Sequence, residues 1–188
     1  HKYTYDNKNR ISKVIVDEKS IYNYSLYDEW GNLKQVILDN KELNSFTYLK
    51  TNGISTGLLQ SKVYPNGTYY FNYDEKLRLK TVTISINNIV STVVEYFYNK
   101  DGNLVKRIDL EGTTYYYYDD NNLKIKEEIK TNKYQKTILT EYDNLNQLQE
   151  KSIRIDDDTL TYNYVYDYEY NEYKRGGYFS RLETSFNE

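Results

Sequence analysis

Asp156-Asp157-Asp158 is the place in this chain where three carboxylates stand side by side. Clustered carboxylate oxygens are the ligands of hard cations such as Ca²⁺. A known calcium loop, however, spaces its acids and places a glycine among them, and this run does neither. It reads as a solvated turn. The other catalytic chemistries lack their parts. The single histidine is at position 1 and there is no cysteine, so a Ser-His-Asp triad, a thiolate nucleophile and a zinc site all lack ligands or a base. Twenty-eight Asp and Glu residues leave paired carboxylates for glycoside hydrolysis open. Most of the regularly spaced aspartates nevertheless have a structural task, described below. No glycine-rich phosphate loop follows a strand, and Arg175-Gly176-Gly177 reads as a bend. The expectation is a protein with no catalytic residues, no metal and no cofactor, and not an enzyme.

Tyrosine is the other residue type able to do recognition chemistry, and there are 25 of them. Exposed aromatic rings stack on sugar faces, and tyrosine-rich hairpin repeats occur in modules that bind choline or cell-surface glycans. Tyr22, Tyr24, Tyr162 and Tyr164 are the candidates for such stacking, while the one tryptophan, Trp30, falls inside a turn. The plainer reading gives most of the tyrosines to sheet packing, because a tyrosine buries a large ring while its hydroxyl stays wet.

Whole-chain properties narrow the field. Net charge is −3 and lysines alternate with acids, so neither nucleic acid nor membrane insertion is expected. The 188 residues carry 16% aromatics and a single proline, which argues for a folded chain despite a strongly hydrophilic composition. A cysteine-free, tyrosine- and asparagine-rich composition is compatible with export. His1 reads as a cut point, and the expectation is an excised fragment.

The elements that position these residues are set by a repeat. Tyr-Asp recurs at Tyr5-Asp6, Tyr27-Asp28, Tyr73-Asp74, Tyr118-Asp119, Tyr142-Asp143 and Tyr166-Asp167, with Tyr98-Asn99 as a variant and Tyr48-Leu49 in the one gap, a spacing of 20 to 25 residues. Four residues after the tyrosine come Asn9, Gly31, Gly102, Asn122 and Asn146, with Leu77 as the exception. Glycine and asparagine tolerate a left-handed backbone, and an aspartate at the first turn position accepts backbone N–H groups. Asp-x-x-Gly is therefore a type I turn that doubles the chain back into a hairpin. Two residues later an aliphatic restarts the strand at Ile11, Leu33, Leu79, Leu104 and Leu148. The copy after Tyr118 reads as one residue short, with Leu123 arriving early, and the copy after Tyr166 is degenerate.

A second turn signal lies midway through each repeat: Asp17-Glu18-Lys19, Asp39-Asn40-Lys41, Pro65-Asn66-Gly67, Asn87-Asn88, Glu111-Gly112, Thr131-Asn132-Lys133 and Asp156-Asp157-Asp158. The intervening segments are rich in Val, Ile, Thr, Tyr and Phe. Each repeat is two strands and two turns, about 15 or 16 strands in all. Ile11 is followed by Val14 and Val16, and Leu33 by Val36 and Leu38; this step of three before alternation predicts either a bulge early in the strand or a strand apolar on both faces. The run Tyr115 to Tyr118 is then the end of a strand, closed by the turn that starts at Asp119. The fold class is all-β: repeated antiparallel hairpins in one long, twisted, curved single-layer sheet.

GLLQSKVYPNGTYYFNYDEKLRLKTV (57–82) and EYFYNKDGNLVKRIDLEGTTYYYYDDNN (95–122) resemble Rhs/YD repeats, whose pattern is Tyr-Asp, variable residues, Gly-Arg-Leu, a strand, a Pro-Asp-Gly type turn and a strand returning to Tyr-Asp. The Gly-Arg-Leu element is worn here to Asn9-Arg10-Ile11, Gly31-Asn32-Leu33, Leu77-Arg78-Leu79 and Gly102-Asn103-Leu104. The resemblance covers residues 1–188 as about seven to eight repeats and weakens over 168–188. Such proteins include bacterial surface and secreted proteins, shells of insecticidal toxin complexes and teneurins. The resemblance implies a ribbon of hairpins wound into a shell, in some relatives around a toxic domain freed by aspartyl self-cleavage. The motif for that cleavage does not occur here. The function it implies is a non-catalytic structural segment of a secreted or surface bacterial YD-repeat protein, enclosing or presenting a toxin or effector domain. Its partners would be neighbouring repeats of the same polypeptide and an enclosed toxin domain or a cell-surface glycan. The alternatives are an extracellular carbohydrate-binding or adhesion module and a small exported β-sheet lipoprotein.

Overall fold

The computed structural model describes residues 1–167 and 178–187, with side chains described up to residue 163 except at Ser25. Among the described residues the secondary structure is all β, with no helix. The first eight strands are β1 (Lys2–Tyr5), β2 (Ile11–Val16), β3 (Ser20–Tyr27), β4 (Leu33–Leu38), β5 (Lys41–Thr51), β6 (Ile54–Tyr64), β7 (Gly67–Tyr73) and β8 (Leu79–Ile86). They are followed by β9 (Ile89–Tyr98), β10 (Leu104–Asp109), β11 (Gly112–Tyr118), β12 (Lys124–Thr131), β13 (Gln135–Tyr142), β14 (Leu148–Ile155), β15 (Asp158–Asp167) and β16 (Tyr178–Asn187). The strands hydrogen-bond in the order of the sequence in one antiparallel sheet. Contacts group the chain into two units, His1–Val93 and Val94–Glu188.

Hairpins form because both turn types are built from residues that accept a left-handed backbone. Three of the mid-repeat turns place two consecutive residues at positive φ: Asp17 and Glu18 (50° and 58°), Asp39 and Asn40 (46° and 66°) and Asn87 and Asn88 (50° and 65°). That is the mirror-image turn whose twist suits a two-residue hairpin. The Tyr-Asp turns place one residue there: Asn9, Gly31, Leu77, Gly102, Asn122 and Asn146, with φ from 57° to 94°. Leu77 is thus no exception in conformation, only in residue type. The copy after Tyr118 is not short either. Asn122 is the left-handed residue and Lys124, not Leu123, opens the strand opposite Tyr118.

Of the two readings of the three-residue step, the bulge is the one present. From Tyr5 to Tyr142 each tyrosine of a Tyr-Asp or Tyr-Asn pair faces the strand-opening residue, and the register slips by one residue beside it. Tyr5 pairs Ile11 while Thr4 pairs Lys13, and Tyr73 pairs Leu79 while Asn72 pairs Thr81. The same slip occurs at Tyr27, Tyr98, Tyr118, Tyr142 and Tyr166. An extra residue at this point turns the following side chains to the other face, which restores Val14, Val36 and Val82 to the most buried row.

The core is thin. Among the described residues Val14, Val36, Val82 and Val94 are the buried aliphatics, accompanied by Ser61 and Thr114, and no side chain is fully buried. Register shows how the faces divide in the first unit. Phe46, Lys62, Tyr69 and Ile84 form one cross-strand row, and Thr47, Ser61, Tyr70 and Thr83 form the row on the opposite face. In the second unit Tyr116 shares a row with Glu127 and Ile138, while Tyr117 shares one with Lys126 and Leu139. The tyrosine run therefore alternates between the two faces of β11.

Candidate functional site

The Tyr-Asp turn is built outward from its aspartate. In the first copy the Asp6 backbone carbonyl accepts from Asn9 N at 3.1 Å, and Asp6 N donates to the Arg10 carbonyl at 2.8 Å. The Asp6 Oδ1 accepts from Lys8 N at 2.8 Å and from Arg10 N at 3.0 Å. The same pair of acceptances recurs at Asp28, Asp74, Asp119 and Asp143, and through the amide oxygen at Asn99. One oxygen thus satisfies two backbone donors that a tight turn would otherwise leave unpaired.

The second carboxylate oxygen holds the side chain four residues on. Arg10 clasps Asp6 Oδ2 through Nε at 2.7 Å and Nη2 at 2.6 Å, and Arg78 holds Asp74 with the same two distances. Asn32 Nδ2 donates to Asp28 Oδ2 at 2.9 Å. These bonds hold the carboxyls below their ordinary value. In Asp6 the Arg10 backbone N–H is the largest cause, and in Asp74 it is the Arg78 side chain. In Asp28 desolvation pulls upward, and the donors of Asn32, Trp30 and Gly31 outweigh it.

Five of the recurring tyrosines do something the sequence does not display. Each hydroxyl reaches back to the preceding repeat and donates to the main-chain carbonyl at the bulge. Tyr27 donates to Ile11 at 2.5 Å, Tyr48 to Leu33 at 2.7 Å, Tyr73 to Leu59 at 2.7 Å, Tyr118 to Leu104 at 2.8 Å and Tyr142 to Lys124 at 3.2 Å. A bulge interrupts the ladder, and the hydroxyl supplies the donor there. Burial raises the phenol pKa of Tyr27, Tyr48, Tyr73 and Tyr118. These hydroxyls remain protonated, as donors must.

In the second unit the opposite face carries cations over rings. Lys106 lies 5.3 Å from the Phe97 ring and 5.6 Å from that of Tyr115, and Lys126 lies 5.2 Å from Tyr117. Tyr117 donates to Glu128 at 3.0 Å, and Lys126 pairs with Glu128 at 2.6 Å. The Lys126 bond comes first in holding the Glu128 carboxyl below its ordinary value.

One hairpin departs from the pattern. Where Tyr48-Leu49 replaces Tyr-Asp, β5 runs on to Thr51, and the chain turns at Asn52-Gly53 with φ of 52° and 81°. β6 then returns through Gly57 (φ 76°) to Leu59, which pairs with Tyr48. Gly57 precedes Leu59 as Gly31 precedes Leu33, so the unit is a Tyr-Asp turn with a hairpin inserted. Beside the extension lies a groove of about 590 Å³ that includes Tyr27, Trp30, Phe46, Tyr48, Lys50 and Gln60 in its lining.

Of the sugar-stacking candidates, Tyr22 and Tyr24 fall in the first unit and Tyr162 and Tyr164 in the second. Tyr22 pairs with Val14 and Leu38 inside a cross-strand row, and neither Tyr22 nor Tyr24 lines that groove. Tyr162 pairs with Lys151 in the second unit. The side chain of Tyr164, the turn after Asp167, and Arg175-Gly176-Gly177 lie outside the described residues. Asp156 and Asp157 form a hairpin turn and Asp158 opens β15, with Asp156 Oδ1 accepting from Gln135 N at 3.0 Å. Among the described residues no three of His, Cys, Asp and Glu are grouped as metal ligands. Among the described residues no helix is long and apolar enough to cross a membrane.

Sequence reasoning missed the inserted hairpin, for which the Asn52-Gly53 dipeptide was the signal. A family model described as the teneurin YD-shell matches residues 1–188 of this chain. No curated protein matches it.

Proposed function

The chain belongs to the teneurin YD-shell family, and from that premise we propose that it is a non-catalytic wall segment of a secreted or surface bacterial protein, enclosing or presenting a toxin or effector domain. What supports this reading is the use made of the tyrosines and aspartates. The Asp6, Asp28, Asp74, Asp119 and Asp143 carboxylates are occupied by backbone N–H groups of their own turns. The hydroxyls of Tyr27, Tyr48, Tyr73, Tyr118 and Tyr142 are occupied by the preceding repeat. The chemistry-bearing side chains are spent on joining one hairpin to the next, as a structure that must extend unit by unit requires.

The test is electron microscopy of the whole encoded polypeptide together with limited proteolysis. A wall predicts a domain protected from protease in the native protein and digested once the sheet is opened by replacing the turn aspartates. An encoded polypeptide in which the sheet surrounds nothing and protects nothing overturns the proposal.

A further inference from the structure

We propose that Tyr64 and Tyr69 form a site of oxidative modification, at which a peroxidase joins the two phenols as dityrosine across the β6–β7 hairpin. The rings are already neighbours, with centroids 5.6 Å apart and planes at 73°. Register explains the encounter. Tyr64 closes β6 opposite Gly67, and Tyr69 pairs with Lys62, two residues before Tyr64. Both rings therefore stand on one face as diagonal neighbours. Gly67 offers Tyr64 no side chain directly across. A Cβ there would meet the Ser85 carbonyl oxygen at 2.8 Å, so close approach fixes the glycine and leaves the Tyr64 ring to meet Tyr69. Lys62, 4.4 Å from the Tyr64 ring centre, holds that ring over the hairpin.

The pair is reachable and has no other task. Tyr64 is 37% exposed, and both tyrosines line a groove of about 340 Å³. Their hydroxyls lie outside the set that joins one repeat to the next, so the sheet does not depend on them. The chain has neither cysteine nor methionine, the side chains most open to oxidation, and so has no disulfide to staple a hairpin. The oxidant is hydrogen peroxide acting through a haem peroxidase. Each phenol loses one electron and its hydroxyl proton, and the peroxide is reduced to two waters. The two phenoxyl radicals pair their odd electrons in a carbon–carbon bond between ring carbons ortho to the oxygens. The hydrogen on each joined carbon leaves as a proton while a proton returns to each oxygen, which restores both rings. Edge-to-face rings must rotate to bring those carbons together, and the soft χ2 of tyrosine permits it. This site stands apart from the wall reading, and its failure would leave that reading untouched.

The full chain, dilute enough to favour reaction within one molecule, is treated with a haem peroxidase and limiting hydrogen peroxide. Trypsin leaves Tyr64 and Tyr69 in one peptide, residues 63–76. That peptide should lose the mass of two hydrogen atoms, give no backbone fragments between 64 and 69, and show dityrosine fluorescence. Tyr64→Phe and Tyr69→Phe keep the rings, and each should lower dityrosine in the peptide by about tenfold or more, because coupling depends on a placed partner. Tyr70→Phe, on the opposite face of the same peptide, should leave it unchanged. In urea the preference for this pair should vanish. Coupling only between molecules, coupling spread over other tyrosines of the folded chain, a yield unchanged in Tyr64→Phe, or no coupling at all overturns the proposal.

Discussion

Tyr73→Phe isolates the hydroxyl link between repeats. The ring stays, so buried apolar area is unchanged; what goes is a 2.7 Å bond from the hydroxyl to the Leu59 carbonyl. The net worth of such a bond is about 0.5–1.5 kcal/mol, and the lost partner leaves a carbonyl at a bulge where the ladder offers no substitute. Tyr73 is half-buried, so water can replace part of the loss, which puts the expected cost near 1 kcal/mol. For a chain of this size that lowers Tm by about 2–4 °C. Trp30 lies in the same unit as Tyr73, so urea unfolding followed by tryptophan fluorescence reads the change directly. Tyr70→Phe is the control: Tyr70 sits on the opposite face, is 42% exposed, and should change stability by less than about 0.5 kcal/mol. If Tyr73→Phe costs no more than Tyr70→Phe, the hydroxyls do not join the repeats and the reasoning fails.

Gly31→Val and Gly102→Val should each cost about 1–3 kcal/mol, since φ of 88° and 94° is hostile to a β-branched residue; an unchanged melting midpoint in either would refute the turn geometry. Gly112→Ala should cost more than Gly53→Ala. A Cβ at 112 would collide with the Lys130 carbonyl oxygen, whereas nothing lies within 4 Å of one at 53, and faster amide exchange in β11 and β12 would report the difference. Asp74→Asn tests the ion pair, because Asn99 shows that an amide can cap this turn. The Arg78 side chain, with backbone donors, holds the Asp74 carboxyl below its ordinary 3.8, so the charged form stabilises the fold above that pH and the contribution fades as pH falls through the lowered value. Urea midpoints of the two proteins should therefore differ most at neutral pH and converge below 3.8; a gap that persists in acid refutes the assignment.

What was legible in the sequence is what residue type constrains. Gly31, Gly102, Asn9, Asn122 and Asn146 announce a left-handed backbone because few other residues accept it, and all five adopt it. Leu77 adopts it too, at φ 59°, but a leucine carries no such signature, and the surrounding turn imposes the conformation. Arg10 and Arg78 read as remnants of a motif, whereas their task is to grip an aspartate four residues earlier. The hydroxyl links were illegible for a different reason: they join residues 14 to 18 positions apart, a distance fixed only once hairpin register is known. The inserted hairpin was signalled by Asn52-Gly53, but a fixed period of about 20 to 25 residues draws the eye to Tyr48 and past it. Trp30 reads as a turn residue, and it lies in the turn that Asp28 caps.

The thin core explains why the chain is so rich in tyrosine. Four buried valines and no fully buried side chain, among the described residues, leave the apolar effect small for each strand. Stability must then come from contacts repeated at every hairpin. Phenylalanine would cover the sheet equally well but would leave the bulge carbonyl unpaired; leucine would do neither. Tyrosine covers and donates at once, and it tolerates a sheet with water on either side. The aspartate beside it is complementary: it fixes the turn that creates the bulge whose carbonyl the next tyrosine will need. Each pair therefore prepares the docking point of its successor. That dependence of one repeat on the one before is the physical reason the two residues recur together.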